Sequence, residues 1–313
     1  MRFRRDTNPR PPPQIDHQRF PGIMDRIMMN APKASLLKLR CTSRAVKTYI
    51  DLLLVRHLTV EGGVKCQPLI TGGYGKPPIG SDIERVFSVP WGRGWLPILA
   101  QTQVVDVHAT AERADLFVLA RSFVRTQVVR FDDAFFLHSG RDTTIPHIAP
   151  CAVVFSWRNT LEGEEPVVKQ FAPGLTRLVF CFKSPPPPSS SSGGHLAFPD
   201  VLDFPSSLRH MVVIVAINPD HGFGANPHKP ISDLLPRHLV PRVAELRRQL
   251  PWVKFIIVGL EGLGVHTALG MIKTFTAETP PHRTPIKFLT LKRHKRNVGD
   301  RMFALETDEN YQL

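Results

Sequence analysis

Cysteine is scarce in this chain, and the few cysteines stand apart. Four occur among 313 residues, at positions 41, 66, 151 and 181, with no CxxC pair. That pattern excludes a Cys-rich zinc module and argues against a disulfide-stapled secreted domain. No uncharged apolar run approaches the ~18 residues that a membrane-spanning helix needs. The basic opening MRFRRDTNPRPPP leads into no apolar stretch of the kind found in a secretory signal. An intracellular, reducing location, cytoplasmic or nuclear, is therefore expected. Only three tyrosines are present, and no aromatic is interleaved with the basic segments, so a stacking platform for bases is not expected.

What is present is apolar content and proline. Hydrophobic residues make up 42% of the chain, enough for a sizeable core, and the length allows roughly two domains. The 30 prolines gather in short patches that read as turns and linkers. The net charge of +13 sits at the two ends: residues 1–60 carry 12 Lys/Arg against 4 Asp/Glu, and residues 283–313 carry 7 against 4. The long middle is close to neutral, so it is not itself a nucleic-acid platform.

After a basic, Pro-rich leader (1–16), residues 17–60 read as a small helical module. Ile23, Met24, Ile27 and Met28 share one helical face. Pro32 interrupts it, because the residue before a proline is pushed out of the helical region. Ser35 is a candidate N-cap for a second helix with Leu36, Leu37, Leu39 and Cys41 inward and Lys38, Arg40 and Arg44 outward. Ala45, Val46, Tyr49, Ile50 and Leu53 continue that helix or form another. Residues 61–80 hold six glycines and three prolines and read as a linker or large loop.

Beyond it, from 81 to 300, short β-like runs alternate with helical stretches. The runs are 104–107, 128–131, 152–155, 178–182, 211–217, 253–258 and 286–291. Taking Val105, Val129, Val154 and Val179 as markers gives steps of 24, 25 and 25 residues, the interval of a strand-plus-helix repeat, with longer steps afterwards. Helices are expected over 111–124, over 243–250 with Pro241 near its start, and over 267–275. Apolar strands joined by helices predict an α/β fold with mostly parallel sheet. The segment SPPPPSSSSGG, within a loop at 184–195, is expected to be mobile and to interrupt the series. Residues 301–313 are expected to be a tail.

Chemistry is sparsely signalled. Gly259, Gly262 and Gly264 lie between a strand and a helix and could turn backbone donors toward a phosphate, but the order is GxxGxG, not the dinucleotide-binding GxGxxG. The phrase GGYGKPP (72–78) lacks the GK[ST] order of a phosphate loop. Thirteen histidines supply no pair at metal-ligand spacing on a helix, and no GxSxG follows a strand. Asp132 and Asp133 could hold magnesium, although an acidic pair opening a helix explains them equally. The segment LKRHKR (291–296) is compatible with a solvent-facing turn, a nuclear targeting signal or a phosphate contact. No catalytic residue, cofactor or metal is assigned.

Residues 20–50, FPGIMDRIMMNAPKASLLKLRCTSRAVKTYI, resemble an F-box of a divergent, fungal type. Phe20-Pro21 stands at the opening Leu-Pro, and Ile23, Met24 and Ile27 match the first helix. Ala31-Pro32 matches the break; Leu36, Leu37, Leu39, Arg40, Cys41, Ser43 and Arg44 match the most characteristic stretch. Gly22, Met24 and Asp25 replace the usual acidic-aliphatic start, and the closing tryptophan is missing. Such proteins often carry leucine-rich-repeat-like domains. FAPGLTRLVFCF and FPSSLRHMVVIVAIN look like degenerate strand entries, with only Asn218 near the position of the consensus asparagine.

The resemblance implies a non-enzymatic, substrate-recruiting adaptor of a Skp1–cullin–F-box type ubiquitin ligase. Phe20, Pro21, Ile23, Ile27, Pro32, Leu36, Leu37 and Leu39 would bind a Skp1-type adaptor, and the repeat sheet would hold a protein substrate. The alternatives are an α/β enzyme using the Gly259–Gly264 turn, and a scaffold whose N-terminal helices only cap the repeats.

Overall fold

The structure, a computed structural model of the whole chain, describes residues 21–31, 33–62, 69–72, 99–108, 110–111, 113–132, 135, 143–156, 167–183, 200–216, 231–277 and 284–308. The chain divides into two compact units, residues 1–53 and 54–313.

Among the described residues the first unit holds three short helices: α1 (Pro21–Asn30), α2 (Lys33–Leu39) and α3 (Arg44–Leu54), whose last residue passes into the second unit. The helix break falls where Pro32 predicts it, between Asn30 and Lys33. Ser35 is not an N-cap; α2 has already begun two residues earlier. The capping serine is Ser43, whose Oγ accepts from the Val46 amide at 3.2 Å and opens α3. Arg40 is not a free surface charge, since it forms an ion pair with Asp51 of α3.

The second unit is mixed α/β and built on a nine-stranded, mostly parallel sheet. Its strands are β1 (His57–Glu61), β2 (Leu69–Gly72), β3 (Val104–Val107), β4 (Val128–Asp132), β6 (Cys151–Ser156), β8 (Arg177–Lys183), β10 (His210–Ala216), β11 (Lys254–Val258) and β12 (Lys287–Leu289). Spatial order is β12-β11-β10-β8-β6-β4-β3-β1-β2, so apart from the antiparallel edge strand β2 each strand lies beside the next one of this sheet along the chain. A second, three-stranded parallel sheet holds β5 (Thr143–Ile145), β7 (Val167–Phe171) and β9 (Asp200–Asp203). These three alternate in sequence with β4, β6, β8 and β10. The chain thus passes from the large sheet to the small one and back at each step.

The register makes the stepping explicit. Val104, Val128, Cys151, Arg177, His210 and Lys254 stand at one level across six strands. Ala152, not Val154, is the partner of Val129, and Leu178, not Val179, is the next residue at that level, so the even steps of 25 residues do not hold. The level-to-level steps are instead 24, 23 and 26, then 33 and 44. Side chains keep the same step: Thr126 Oγ1 donates to the Thr102 carbonyl, and Arg125 donates to the Gln101 side chain, each across 24 residues.

Because strands alternate their side chains, the sheet presents two faces, and both are apolar. The core face carries Val105, Val129, Ala152, Leu178, Phe180, Met211 and Phe255, all buried. It is covered by the small sheet (Ile145, Phe171) and by three helices: α4 (Arg113–Ala120), α5 (Ile231–Gln249) and α6 (Val265–Ala277). Fully burying each such side chain contributes roughly 1.5–3 kcal/mol. The second face carries Val104, Val128, Cys151, Val153, Phe155, Val179, Val212 and Ile214, likewise buried.

Several boundaries differ from expectation. His57–Glu61 belongs to the sheet and not to the helical module, and β2 lies inside the segment expected to be a linker. Helix α5 runs from Ile231, so Pro241 is internal to it; Arg247 on its flank is buried and donates to the Thr284 carbonyl at 2.7 Å. Val124 is exposed, beyond the end of α4. Residues 291–307 form two further helices, α7 (Leu291–Val298) and α8 (Asp300–Thr307), so the expected tail is helical for most of its length. The leader 1–16, the 184–195 loop and Asn218 lie outside the described residues.

Candidate functional site

Of the eight residues expected to meet an adaptor, Phe20 and Pro32 lie outside the described residues, and Pro21 opens α1. Ile23 and Ile27, one turn apart on α1, are 55% and 44% exposed, and Leu37 is 38% exposed. Leu39 is half-buried, whereas Leu36 is fully buried, together with Met28 and Ile50. Leu36 is therefore a packing residue. The reason is that α2 has only seven residues and turns a single apolar face inward; Leu37, 100° further round, points away. Cys41 is exposed as well, with its thiol against the Leu37 carbonyl.

The second face of the large sheet carries two charged clusters that sequence reasoning did not assemble. Asp106 on β3 and Arg130 on β4 are cross-strand partners. Arg130 Nε and Nη2 donate to the two Asp106 carboxylate oxygens at 2.5 and 2.6 Å, and His57 Nε2 lies 2.9 Å from Oδ2. Arg130 also donates to the Asp308 carbonyl at 2.8 Å and lies over the Phe155 ring. Burial pushes the Asp106 carboxyl up, but the hydrogen bonds from His57 and Arg130 and their charges outweigh it and hold it below the ordinary 3.8. Among the described residues the buried His57 Nδ1 has no hydrogen-bond partner.

The second cluster ties α7 and α8 to the sheet. Arg177 Nε and Nη2 of β8 donate to Glu306 Oε1 at 2.8 and 2.6 Å. His294 Nε2 of α7 lies 2.6 Å from Glu306 Oε2. Glu306 is completely buried and His294 nearly so. Leu305, Met302 and Leu291 join the apolar side chains of the second face. The sheet surface expected to stand open for a partner is thus occupied in part by the chain's own C-terminal helices.

Cys151, the thiol nearest Arg177 and Glu306, is pushed up to about 12 by burial first and by Glu306 second, against the pull of Arg177, so it stays protonated at neutral pH. Among the described residues no three His, Cys, Asp or Glu side chains converge to hold a metal ion. The glycine turn after β11 exists: Gly259 has φ +85°, a short 3-10 turn spans Leu260–Leu263, and α6 follows. Its donors are partly committed, however, because Gly259 N–H bonds the Leu289 carbonyl at 3.1 Å. The Glu261 carboxylate sits in the same turn and accepts from the Leu291 amide at 2.7 Å.

The basic segment LKRHKR forms most of α7. Thr290 caps it, accepting from the Arg293 amide at 3.1 Å. Lys292, Arg293, Lys295 and Arg296 are exposed, while His294 turns inward. Among the described residues no helix is long and apolar enough to cross a membrane. Comparison of the chain with protein-family models, with curated proteins and with solved structures finds no match in any of the three.

The signal that could have found the charged clusters is interruption of apolar runs. Asp106 in VVDV and Arg130 in VVRF are opposite charges at equivalent positions of consecutive runs, 24 residues apart. Glu306 carries no comparable signal, since its partner lies 129 residues away.

Proposed function

We propose that this chain is a substrate-recruiting adaptor of a Skp1–cullin–F-box type ubiquitin ligase, binding a Skp1-type adaptor through residues 20–50 and a protein target through the second unit. The observation that carries this is the exposure of Ile23 and Ile27 on α1 and of Leu37 on α2, at positions where the F-box resemblance puts partner contacts. Large apolar side chains left in solvent on so small a unit are the kind that a partner buries. The chain would supply no chemistry of its own; it would raise the effective concentration of a bound target beside a catalytic partner.

The second unit fits a degenerate leucine-rich-repeat-like coil. In support, its parallel strands follow chain order, and the phrases Leu175-x-x-Leu178-x-Phe180 and Leu208-x-x-Met211-x-Val213 align level for level, Leu178 pairing with Met211 and Phe180 with Val213. A doubly wound nucleotide-binding sheet needs a point where the order of its parallel strands reverses; among the described strands the order turns back only at β1, whose outer neighbour β2 is antiparallel. The enzyme alternative therefore gains no support. A purely capping role for the helices predicts burial of Ile23, which is 55% exposed.

The test is direct binding of a purified Skp1-type adaptor to the full chain and to two variants. The double substitution Ile23→Asp, Ile27→Asp is expected to weaken binding by about tenfold or more, each 1.4 kcal/mol being tenfold, while unfolding is unchanged. Leu36→Ala is expected to cost about 2–5 kcal/mol of stability as a buried leucine. A well-folded full chain that fails to bind, or binding indifferent to Ile23 and Ile27, overturns the proposal.

A further inference from the structure

Helix α8 meets the second face of the sheet with a particular chemistry. Leu305 enters the apolar cluster of Val128, Val153, Val179 and their neighbours. Beside it, Glu306 answers the Arg177 guanidinium with one carboxylate oxygen. The Asp308 carbonyl answers Arg130 at 2.8 Å, and Arg301 donates to the Gln103 side chain at the rim. The face is therefore an apolar strip carrying two cationic heads, and what sits on it is a short helix offering a leucine next to a carboxylate.

Three features make α8 a separable part. It is eight residues long, and a helix of that length is marginal alone in water, so its order depends on the surface beneath it. It joins α7 through Gly299, which has φ +85° and ψ 159° and nothing within 4 Å of where a Cβ would stand. A positive φ of this kind is one that glycine adopts without the steric cost a side chain would bring. And beside the apolar contacts of Leu305 and Met302, α8 is held by the buried Glu306 carboxylate, which meets Arg177 and His294, an ion pair that adds less net stability than apolar packing of the same size.

We propose that α8 is an intramolecular occupant of the second face, displaced when a partner presents an amphipathic helix of the same chemistry, with a leucine and an adjacent carboxylate for Arg177. This deepens the adaptor proposal and rests on it for the identity of the partner as a recruited protein. The occupied and open states then compete, and the apparent affinity of the face is reduced by the fraction of time that α8 covers it.

Two measurements on the full chain test this, and neither involves residues 20–50, so they can fail or succeed independently of adaptor binding. Native-state hydrogen exchange is expected to show the α8 amides opening by a local event, well ahead of β8 and β10. Separately, Glu306→Lys places like charge against Arg177 and is expected to release α8. A fluorescently labelled peptide with the sequence of residues 300–308, DRMFALETD, should then bind this variant about tenfold or more tightly than it binds the unaltered chain. The same peptide with its glutamate changed to lysine should not bind. Exchange of α8 only together with β8 under all conditions overturns the proposal, whatever the variant does. So does a folded variant that ignores the peptide, or one that fills the face by pairing with a second copy instead.

Discussion

Replacing Asp106 tests the charged cluster on the second face. The guanidinium of Arg130 is 2% exposed and takes both carboxylate oxygens of Asp106, so removing the carboxylate strands a buried cation. Breaking a buried pair from one side costs about 3–5 kcal/mol. Asp106 itself is 25% exposed and Arg130 keeps the Asp308 carbonyl, which places Asp106→Ala near the lower end, about 3 kcal/mol. Asp106→Asn keeps the shape and one neutral acceptor and should cost about 1–3 kcal/mol. Urea unfolding at pH 7 of the unaltered chain, Asp106→Ala, Arg130→Met and the double variant forms a cycle. The two single losses should overlap, leaving a coupling of about 2 kcal/mol at unchanged m.

Acid adds a second readout. Asp106 is held below its ordinary 3.8 in the folded chain, so the unfolded chain takes up its proton first as pH falls. The stability it contributes is complete above that value and drains away as pH drops through the folded value. The gap between the unaltered chain and Asp106→Asn should therefore be constant from pH 7 to about 5 and narrow below about 4. Additivity within about 0.5 kcal/mol in the cycle, or a gap that does not close in acid, would refute this account of the cluster.

Gly259→Ala should lower the melting temperature more than Gly264→Ala: both glycines have φ +85°, but only at 259 would a Cβ meet the Val215 carbonyl oxygen, at 2.3 Å. Equal losses would mean that backbone conformation alone, worth about 1–3 kcal/mol, sets the cost. Iodoacetamide at pH 8 should alkylate exposed Cys41 in the native chain and leave buried Cys151 and Cys181 unmodified until unfolding, as peptide mapping would reveal; comparable labelling of Cys151 contradicts its place in the core. His210 sits level with Arg177 and Lys254, and burial and those two cations lower its pKa below 6.5. The folded chain thus resists protonation there, stability falls as pH drops below 6.5, and His210→Gln should flatten the melting temperature between about pH 7 and 5.

The strands of the large sheet were legible because most are apolar on both faces and so read as continuous runs. All seven expected runs became strands within a residue or two. The last, 286–291, ends two residues early because Thr290 caps α7. The same property blurred the register. With valine on both faces, Val154 could stand in for Ala152 two residues away on the same face, and Val179 for Leu178 on the opposite one. β5, β7 and β9 were illegible for the reverse reason: TTI, VVKQF and DVLD are short and partly polar, resembling the loops around them. In the first unit the break at Pro32 was local and readable, but the inward leucine of α2 depends on where that helix begins, and two residues of error at Ser35 obscured the difference between Leu36 and Leu37.

The occupied second face could have been inferred from the same runs. A strand open to water on one side alternates apolar with polar residues, whereas VVRF, CAVVF, LVFCF and MVVIV hardly alternate. Such strands need cover on both sides. The returning helices and the small sheet supply one cover and cannot supply the other, because they lie on the core face. An open sheet surface and unbroken apolar runs are therefore inconsistent expectations, and the conflict is resolved by the segment that looked least like core. α7 is basic on its exposed side and α8 mixes charged with apolar residues; Leu291, Met302 and Leu305 reach the cluster beneath, and the acid Glu306 matches an arginine on the sheet. Where a parallel sheet departs from alternation on one face, the departure itself predicts an occupant.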